Sequence, residues 1–409
     1  MDLALDPGSQ TWPQLFHQLV IANNRYWLKC VQENVKVSLR EAPQMLKALR
    51  YALSLPEAWE PARDLMLRLN PLMIRQGHGI AWEDLLIRGI KRSSERQDPA
   101  EIELRLGLGN FYRLQGRLSE ARDCLQEALV LCEQYQEQVQ ERTLLNYLGL
   151  VTRLSGQHNN ALAYSQQVLA DPNLTVFEEA EALNVMGLVA FDGRRWEEAL
   201  GYFERALALY RQVNNLYEIA RILNNQGLVL LRNGQLDRAE ECYREAISQF
   251  RAAEDQIECF KAVMNLGNVF LMKQNYKAAI RQYQEALPTF QRYNYIFDLA
   301  YIYNNLGLAY TGAKEWEIAE SYFLAAVEIW QDQADSYNLT NVLDNLGDMF
   351  IKANQLKKAD EILARALQTL DTMPDGSNKI YLQQEIKSHL YQIKTKSEEQ
   401  KDGVDKVED

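Results

Sequence analysis

Cysteine and histidine are scarce in this 409-residue chain, five of the first and four of the second. Cys30, Cys124, Cys132, Cys242 and Cys259 form no Cys-x-x-Cys pair and are too sparse for a disulfide framework in a chain of this size. His17, His78, His158 and His389 stand at no metal-ligand spacing, so neither a structural metal nor a cofactor is expected. No apolar run approaches the roughly 18 residues of a membrane span. The opening MDLALDPGSQ puts Asp2 and Asp6 where a signal peptide carries positive charge. Both features point to a cytoplasmic protein without membrane insertion. An excess of positive charge is also missing: 44 Lys and Arg face 56 Asp and Glu, a net charge of −12, which argues against nucleic acid as a partner. Catalytic signatures are absent as well. There is no phosphate-cradling GxxxxGK[ST], no GxSxG elbow and no HExxH, and Gly107 to Gly109 lie inside a helical pattern rather than after a strand. An enzyme is not expected.

What is present is an apolar fraction of 47%, enough for a sizeable core, and a phrase that keeps returning. It ends in Gly109, Gly149, Gly187, Gly227, Gly267, Gly307 and Gly347, spaced by 38 or 40 residues. Twelve residues after each glycine stands an alanine, from Ala121 to Ala359. Four residues beyond come Leu125, Ser165, Phe203, Tyr243, Tyr283, Phe323 and Leu363, and three further a small residue such as Ala128 or Ala206. A glycine inside one helix and an alanine early in the next allow close approach, and the positions after the alanine share one helical stripe. Polar turns such as QGRLSE and NGQLDR divide the first helix from the second. Each unit reads as helix, turn, helix.

These residues resemble the tetratricopeptide family, whose pattern L-G-x2-Y…A-x3-F…A is met by Leu306 to Tyr310, Ala319, Phe323 and Ala326. The family's tryptophan three before the Leu-Gly pair is replaced by Arg105, Leu145, Leu183, Leu223, Val263, Tyr303 and Leu343. The copies are similar to a longer variety, of roughly 40 residues, found in kinesin light chains, Pins-type polarity scaffolds and bacterial peptide sensors. The resemblance implies an all-α, superhelical solenoid of seven helical hairpins with helical caps, binding another protein or a peptide on its concave side. Its expected extent is 99–372. Residues 1–98 form an N-terminal helical cap or small effector region, with helices near 13–32, 42–55 and 60–76 set by the prolines. Residues 373–394 form a capping helix, and 395–409 an acidic tail without aromatics that is expected to be disordered.

In this family the first helix of each pair lines the concave side. Residues six before, three before, one after and four after the glycine share a helical face of about 80°. That face carries Asn146, Asn184, Arg221, Asn224, Lys261, Asn268, Tyr301, Asn304 and Asp344. A second ladder, Asn225, Asn265, Asn305 and Asn345, runs beside it. Asparagine is a mediocre helix former, so its repetition needs a reason. A carboxamide both donates and accepts, so the inner set is expected to meet the backbone of a bound peptide. The flank ladder is open to that role or to bonding between neighbouring helices. Arg221, Arg232 and Lys261 near the middle and Asp344 and Asp348 near the end suggest a ligand acidic at its centre and basic at its end. Tyr301 is the aromatic hot-spot candidate. The resulting expectation is a non-catalytic scaffold or adaptor, with a peptide-responsive regulator or assembly chaperone as alternatives. Oligomeric state is left open.

Overall fold

The structure, a computed structural model, describes residues 12–33, 41–75, 79–292 and 295–405, and every regular element among them is a helix. Two compact units divide the chain at Val213. The first contains α1 (Trp12–Gln32), α2 (Ala42–Ala52), a 3-10 turn (Pro56–Ala58), α3 (Trp59–Arg75), α4 (Gly79–Arg96), α5 (Ala100–Leu114), α6 (Leu118–Tyr135), α7 (Gln138–Leu154), α8 (His158–Leu169), α9 (Val176–Asp192) and α10 (Trp196–Gln212). The second contains α11 (Leu216–Arg232), α12 (Leu236–Ala252), α13 (Gln256–Met272), α14 (Tyr276–Arg292), α15 (Ile296–Gly312), α16 (Trp316–Asp332), α17 (Ser336–Lys352), α18 (Leu356–Asp371) and α19 (Ser377–Asp405). The expected pairing is realised throughout: α5 packs on α6, α7 on α8, α9 on α10, α11 on α12, α13 on α14, α15 on α16 and α17 on α18.

Each hairpin is locked by its glycine. A methyl group on Gly307 would lie 2.7 Å from the Phe323 ring, and on Gly187 2.6 Å from the Phe203 ring. Tyr243 stands in the same way at Gly227, Tyr283 at Gly267, Leu125 at Gly109 and Leu363 at Gly347. The notch in the first helix therefore receives the large side chain sixteen residues on, which is fully buried in every case. Gly149 is the informative exception. Its partner position holds the small Ser165, and the nearest atom to an added methyl is Val185 Cγ1 at 3.1 Å. Gly201, within α10, has nothing within 4 Å. Gly201→Ala is thus expected to stabilise the protein by about 0.5–1 kcal/mol through helix propensity. Gly307→Ala gains the same propensity but overpacks the Phe323 pocket, for an expected net loss of about 1 kcal/mol. Urea unfolding of the two variants checks the opposite signs.

The turn within each hairpin needs one left-handed residue, seven after the glycine. Gly116, Gly156 and Gly234 supply it, but so do Arg194, Gln274, Lys314 and Asn354, with φ between 56° and 63°. Four first helices of the array, α9, α11, α13 and α17, are capped by short polar side chains: Asn215, Asp255 and Asp335 each accept the N–H three residues on, and Thr175 and Glu178 form a reciprocal capping box.

The helices expected near 13–32, 42–55 and 60–76 are present as α1, α2 and α3, although Pro71 lies inside α3 rather than at its edge. In the first unit α1 to α4 share one continuous core with α5 to α7, running from Val20 and Trp27 through Met66 and Trp82 to Leu148 and Val151. In the second unit, Phe323, Trp330, Met349 and Phe350 form a core closed by Ile386 and Ile393 of α19. That last helix does not stop at 394. It continues to Asp405, through most of the acidic stretch expected to be disordered. Glutamate, glutamine and lysine are good helix formers, and an established helix extends at low cost. Residues 1–11 and 406–409, where the leader argument and the end of the tail fall, lie outside the described residues.

Candidate partner-binding face

Within the second unit the first helices of successive hairpins, α11, α13, α15 and α17, touch one another, while their second helices make no comparable contact. The first helices therefore line the inner, concave side of that unit. These four helices carry eleven of the expected site residues: Arg221, Asn224, Asn225, Lys261, Asn265, Asn268, Tyr301, Asn304, Asn305, Asp344 and Asn345. The other two, Asn146 on α7 and Asn184 on α9, belong to the first unit and are buried.

Many of the carboxamides serve the stack. Asn265 Nδ2 donates to Asn224 Oδ1 at 3.0 Å, Asn305 Nδ2 to Asn268 Oδ1 at 2.9 Å, and Asn345 Nδ2 to Asn304 Oδ1 at 3.0 Å. Each bond joins one first helix to the preceding one. Met264 occupies the acceptor position on α13, and Asn268, one turn later, takes over that role with the Tyr283 hydroxyl donating to it at 2.7 Å. In the first unit Asn146 Nδ2 donates to the Glu178 carbonyl at 3.0 Å. Of the inner set expected to meet a ligand, Asn146, Asn184 and Asn304 are buried, and only Asn224 is part-exposed.

Charge on this face is already balanced. Arg221 pairs with Glu218 at 2.5 Å and Lys261 with Glu258 at 2.9 Å. Burial opposes the charge on Lys261, yet Glu258 and Asp298 hold its ammonium above the ordinary lysine range. Burial pushes the Asp298 carboxyl up, against the pull of Lys261. At the far end Asp344 is buried beneath α19, where His389 Nδ1 lies 2.8 Å from its Oδ1. Asp348 pairs with Lys352 at 2.6 Å and lies 3.8 Å from His389 Nε2. The acids expected to hold the basic end of a ligand thus face the capping helix instead, because α19 packs on α17 as a further first helix would. Sequence reasoning missed His389; its signal was a lone histidine on the amphipathic helix that follows the last hairpin.

His389 makes this contact pH-dependent. Its hydrogen bond with Asp344, against the opposing effect of burial and helped by the charges of Asp344, Asp348 and Glu385, holds its pKa above the usual value. A raised pKa means stabilisation that is complete below about 6.5 and lost as the pH rises through the folded-state value. The stability gap between wild type and His389→Gln is expected to shrink steadily on going from about pH 6 to pH 9. Urea unfolding across that range reads it directly.

Aromatic side chains supply what the amides do not. Phe297 and Tyr301, one turn apart on α15, are 54% and 44% exposed. Both lean on the buried Trp330 ring, at 5.8 and 5.1 Å between centroids. They form a rigid apolar ledge at the edge of an otherwise polar face.

Comparison with known proteins fits this geometry. The sequence matches the family described as Tetratricopeptide repeat over residues 100–171, 178–252, 218–292 and 298–371, which is well over half of the chain. The chain belongs to the tetratricopeptide repeat family. No curated protein matches the sequence. Among solved structures, these repeats are similar to a signal-transduction ATPase with a tetratricopeptide repeat sensor from Pyrococcus horikoshii, with a TM-score of 0.60 and 14% identity over 87% of this chain. The match spans only 56% of that protein's length. A Rap protein complexed with Competence and Sporulation Factor aligns over 90% of this chain and 99% of its own, at a TM-score of 0.57 and 15% identity. The apo quorum sensor NprR from B. thuringiensis aligns over 87% and 99%, at 0.54 and 15%. At these identities the likeness is one of fold.

Proposed function

We propose that this tetratricopeptide repeat protein is a non-catalytic binding scaffold that holds an extended or helical segment of a partner against α11, α13 and α15. The observation that carries this reading is the ledge of Phe297 and Tyr301. Half-exposed aromatics seated on a buried tryptophan are the kind of preformed anchor on which interface energy concentrates. The part-exposed amides of Asn265, Asn268 and Asn305 lie on the same inner side, already fixed by their neighbours, so a ligand meets an ordered surface. Burial pushes the Cys124, Cys132 and Cys242 thiols up to about 11, so these three are protonated at neutral pH and are poor nucleophiles.

The test is affinity capture from native lysate with wild type and Tyr301→Ala. Loss of a hot-spot aromatic costs about 2 kcal/mol or more, so recovery of the partner is expected to fall about 30-fold while helicity is unchanged. An unchanged set of partners would remove the inner face from consideration. A second reading, a peptide-responsive regulator, is favoured by the length of the alignment with the Rap protein, which at 90% of this chain extends beyond the repeats. It predicts a change in small-angle scattering on peptide binding beyond the added mass, which a passive scaffold does not show.

A further inference from the structure

The first two helices oppose the rest of the chain in charge. Residues 12–52 hold six basic side chains and two acidic ones, in a protein whose net charge is −12. Within α1 and α2 themselves the charged residues are Arg25, Lys29, Lys47 and Arg50, with no aspartate or glutamate. Such an asymmetry marks a surface with its own electrostatic business.

The exposed faces of both helices are divided in the same way. α1 turns Val20, Asn24 and Trp27 inward. Trp12, Phe16, Leu19 and Tyr26 lie within about 80° of one another on a different side, by the 100° per residue rule. They are 81%, 45%, 43% and 49% exposed. Arg25 and Lys29 occupy the neighbouring outward sector, where Lys29 reaches Glu33 at 3.6 Å between two solvent-exposed side chains. α2 buries Ala42, Met45, Leu46 and Leu49 and leaves Lys47, Arg50 and Tyr51 outward. Tyr51 meets the Phe16 ring edge-on at 5.7 Å, so the two outward faces are continuous. Pro43, Lys47, Arg50 and Tyr51 also line an open recess beside α2.

Scattered exposed apolar residues need no explanation, but five large ones joined across two helices do. Tryptophan and tyrosine bury a ring and keep a polar edge wet, while lysine and arginine extend their charge past an apolar stem. Side by side on a helix face, this combination suits the headgroup layer of an acidic membrane. No described helix is long and apolar enough to cross one. We infer that the α1–α2 face docks on an anionic lipid surface: the stripe led by Trp12 and Phe16 enters the headgroup layer, and Arg25, Lys29, Lys47 and Arg50 meet the acidic headgroups. The rest of the chain, being strongly acidic, is repelled by such a surface, so this face alone approaches and the protein docks in one orientation.

The experiment is co-sedimentation of the full chain with vesicles of phosphatidylcholine alone and of phosphatidylcholine containing about one third phosphatidylglycerol, at about 0.05 M and about 0.5 M salt. Binding is expected only to the anionic vesicles and is expected to be released by salt. Lys47→Gln with Arg50→Gln is expected to weaken it about 25-fold, at about fivefold for each cation removed. Trp12→Ala, at a position too exposed to disturb the fold, is expected to weaken it as well, whereas Lys91→Gln on α4 leaves it unchanged. Failure to sediment with anionic vesicles at low salt overturns the inference, as does binding that survives both the cation and the Trp12 variants. If the chain ignores vesicles but self-associates in sedimentation velocity in a Trp12-dependent way, the face joins two copies instead. If it ignores vesicles but captures an acidic protein in a Lys47- and Arg50-dependent way, the partner is that protein.

Discussion

Glu178→Ala is expected to cost about 3–5 kcal/mol, the range for removing one member of a buried ion pair. Glu178 is 5% exposed and makes four hydrogen bonds besides the one its carbonyl accepts from Asn146. Its Oε1 accepts from Arg142 Nε at 2.9 Å, and its Oε2 accepts from the Thr175 backbone N–H and hydroxyl, each at 2.8 Å. Its own N–H donates to Thr175 Oγ1 at 3.3 Å. Removing the carboxylate leaves the Arg142 guanidinium, itself buried, with only Asp171 at 2.8 Å, and unfastens the start of α9. Thr175→Ala removes the cap alone and is expected to cost about 1 kcal/mol. A further contrast separates charge from packing: Glu178→Leu combined with Arg142→Met is expected to recover most of the loss, since apolar replacements of a buried pair are often neutral. Urea unfolding of the four proteins gives the comparison, and a double variant as unstable as Glu178→Ala would show that the hydrogen bonds from Thr175 to the carboxylate dominate.

Removing residues 377–409 is expected to destabilise the second unit by about 4 kcal/mol, from the exposure of apolar surface alone. Leu382, Ile386 and Ile393 of α19 are buried: Ile386 and Ile393 share a core with Met349, Phe350 and Ile351 of α17, and Leu382 packs with Leu370 and Met373. Lys396 adds a hydrogen bond from its ammonium to the Ile351 carbonyl at 3.1 Å. Should the truncated chain fail to fold, Ile386→Ala tests the same contact in the full chain, at an expected cost of about 3 kcal/mol. A truncation that leaves the unfolding midpoint of the second unit unchanged would mean that α19 only shields the end of the stack.

The hairpins were legible because their causes are local. Glycine, alanine and a large side chain at fixed offsets state which helix faces meet, and the structure places Phe203, Tyr243, Tyr283 and Phe323 in the notches of their own glycines. The fate of the asparagines was not legible to the same degree. Whether Asn224 meets solvent or Asn265 depends on the stagger between two helices about 40 residues apart, and a turn of stagger decides it. The repeat pattern fixes each hairpin but not that stagger, as the change of acceptor from position 264 to Asn268 illustrates. Asp344 was read as a groove acid because its own helix places it there. Only the packing of α19, a helix outside the period, covers it with His389.

The amide bonds also connect each first helix of the second unit to its predecessor and to no more distant one. Cooperativity in such a stack is passed between nearest neighbours, so melting travels from an end as a front rather than arising everywhere at once. α19 is where such a front would start in this unit. By fastening it more weakly at high pH, His389 adjusts how often the front sets out without altering any hairpin behind it.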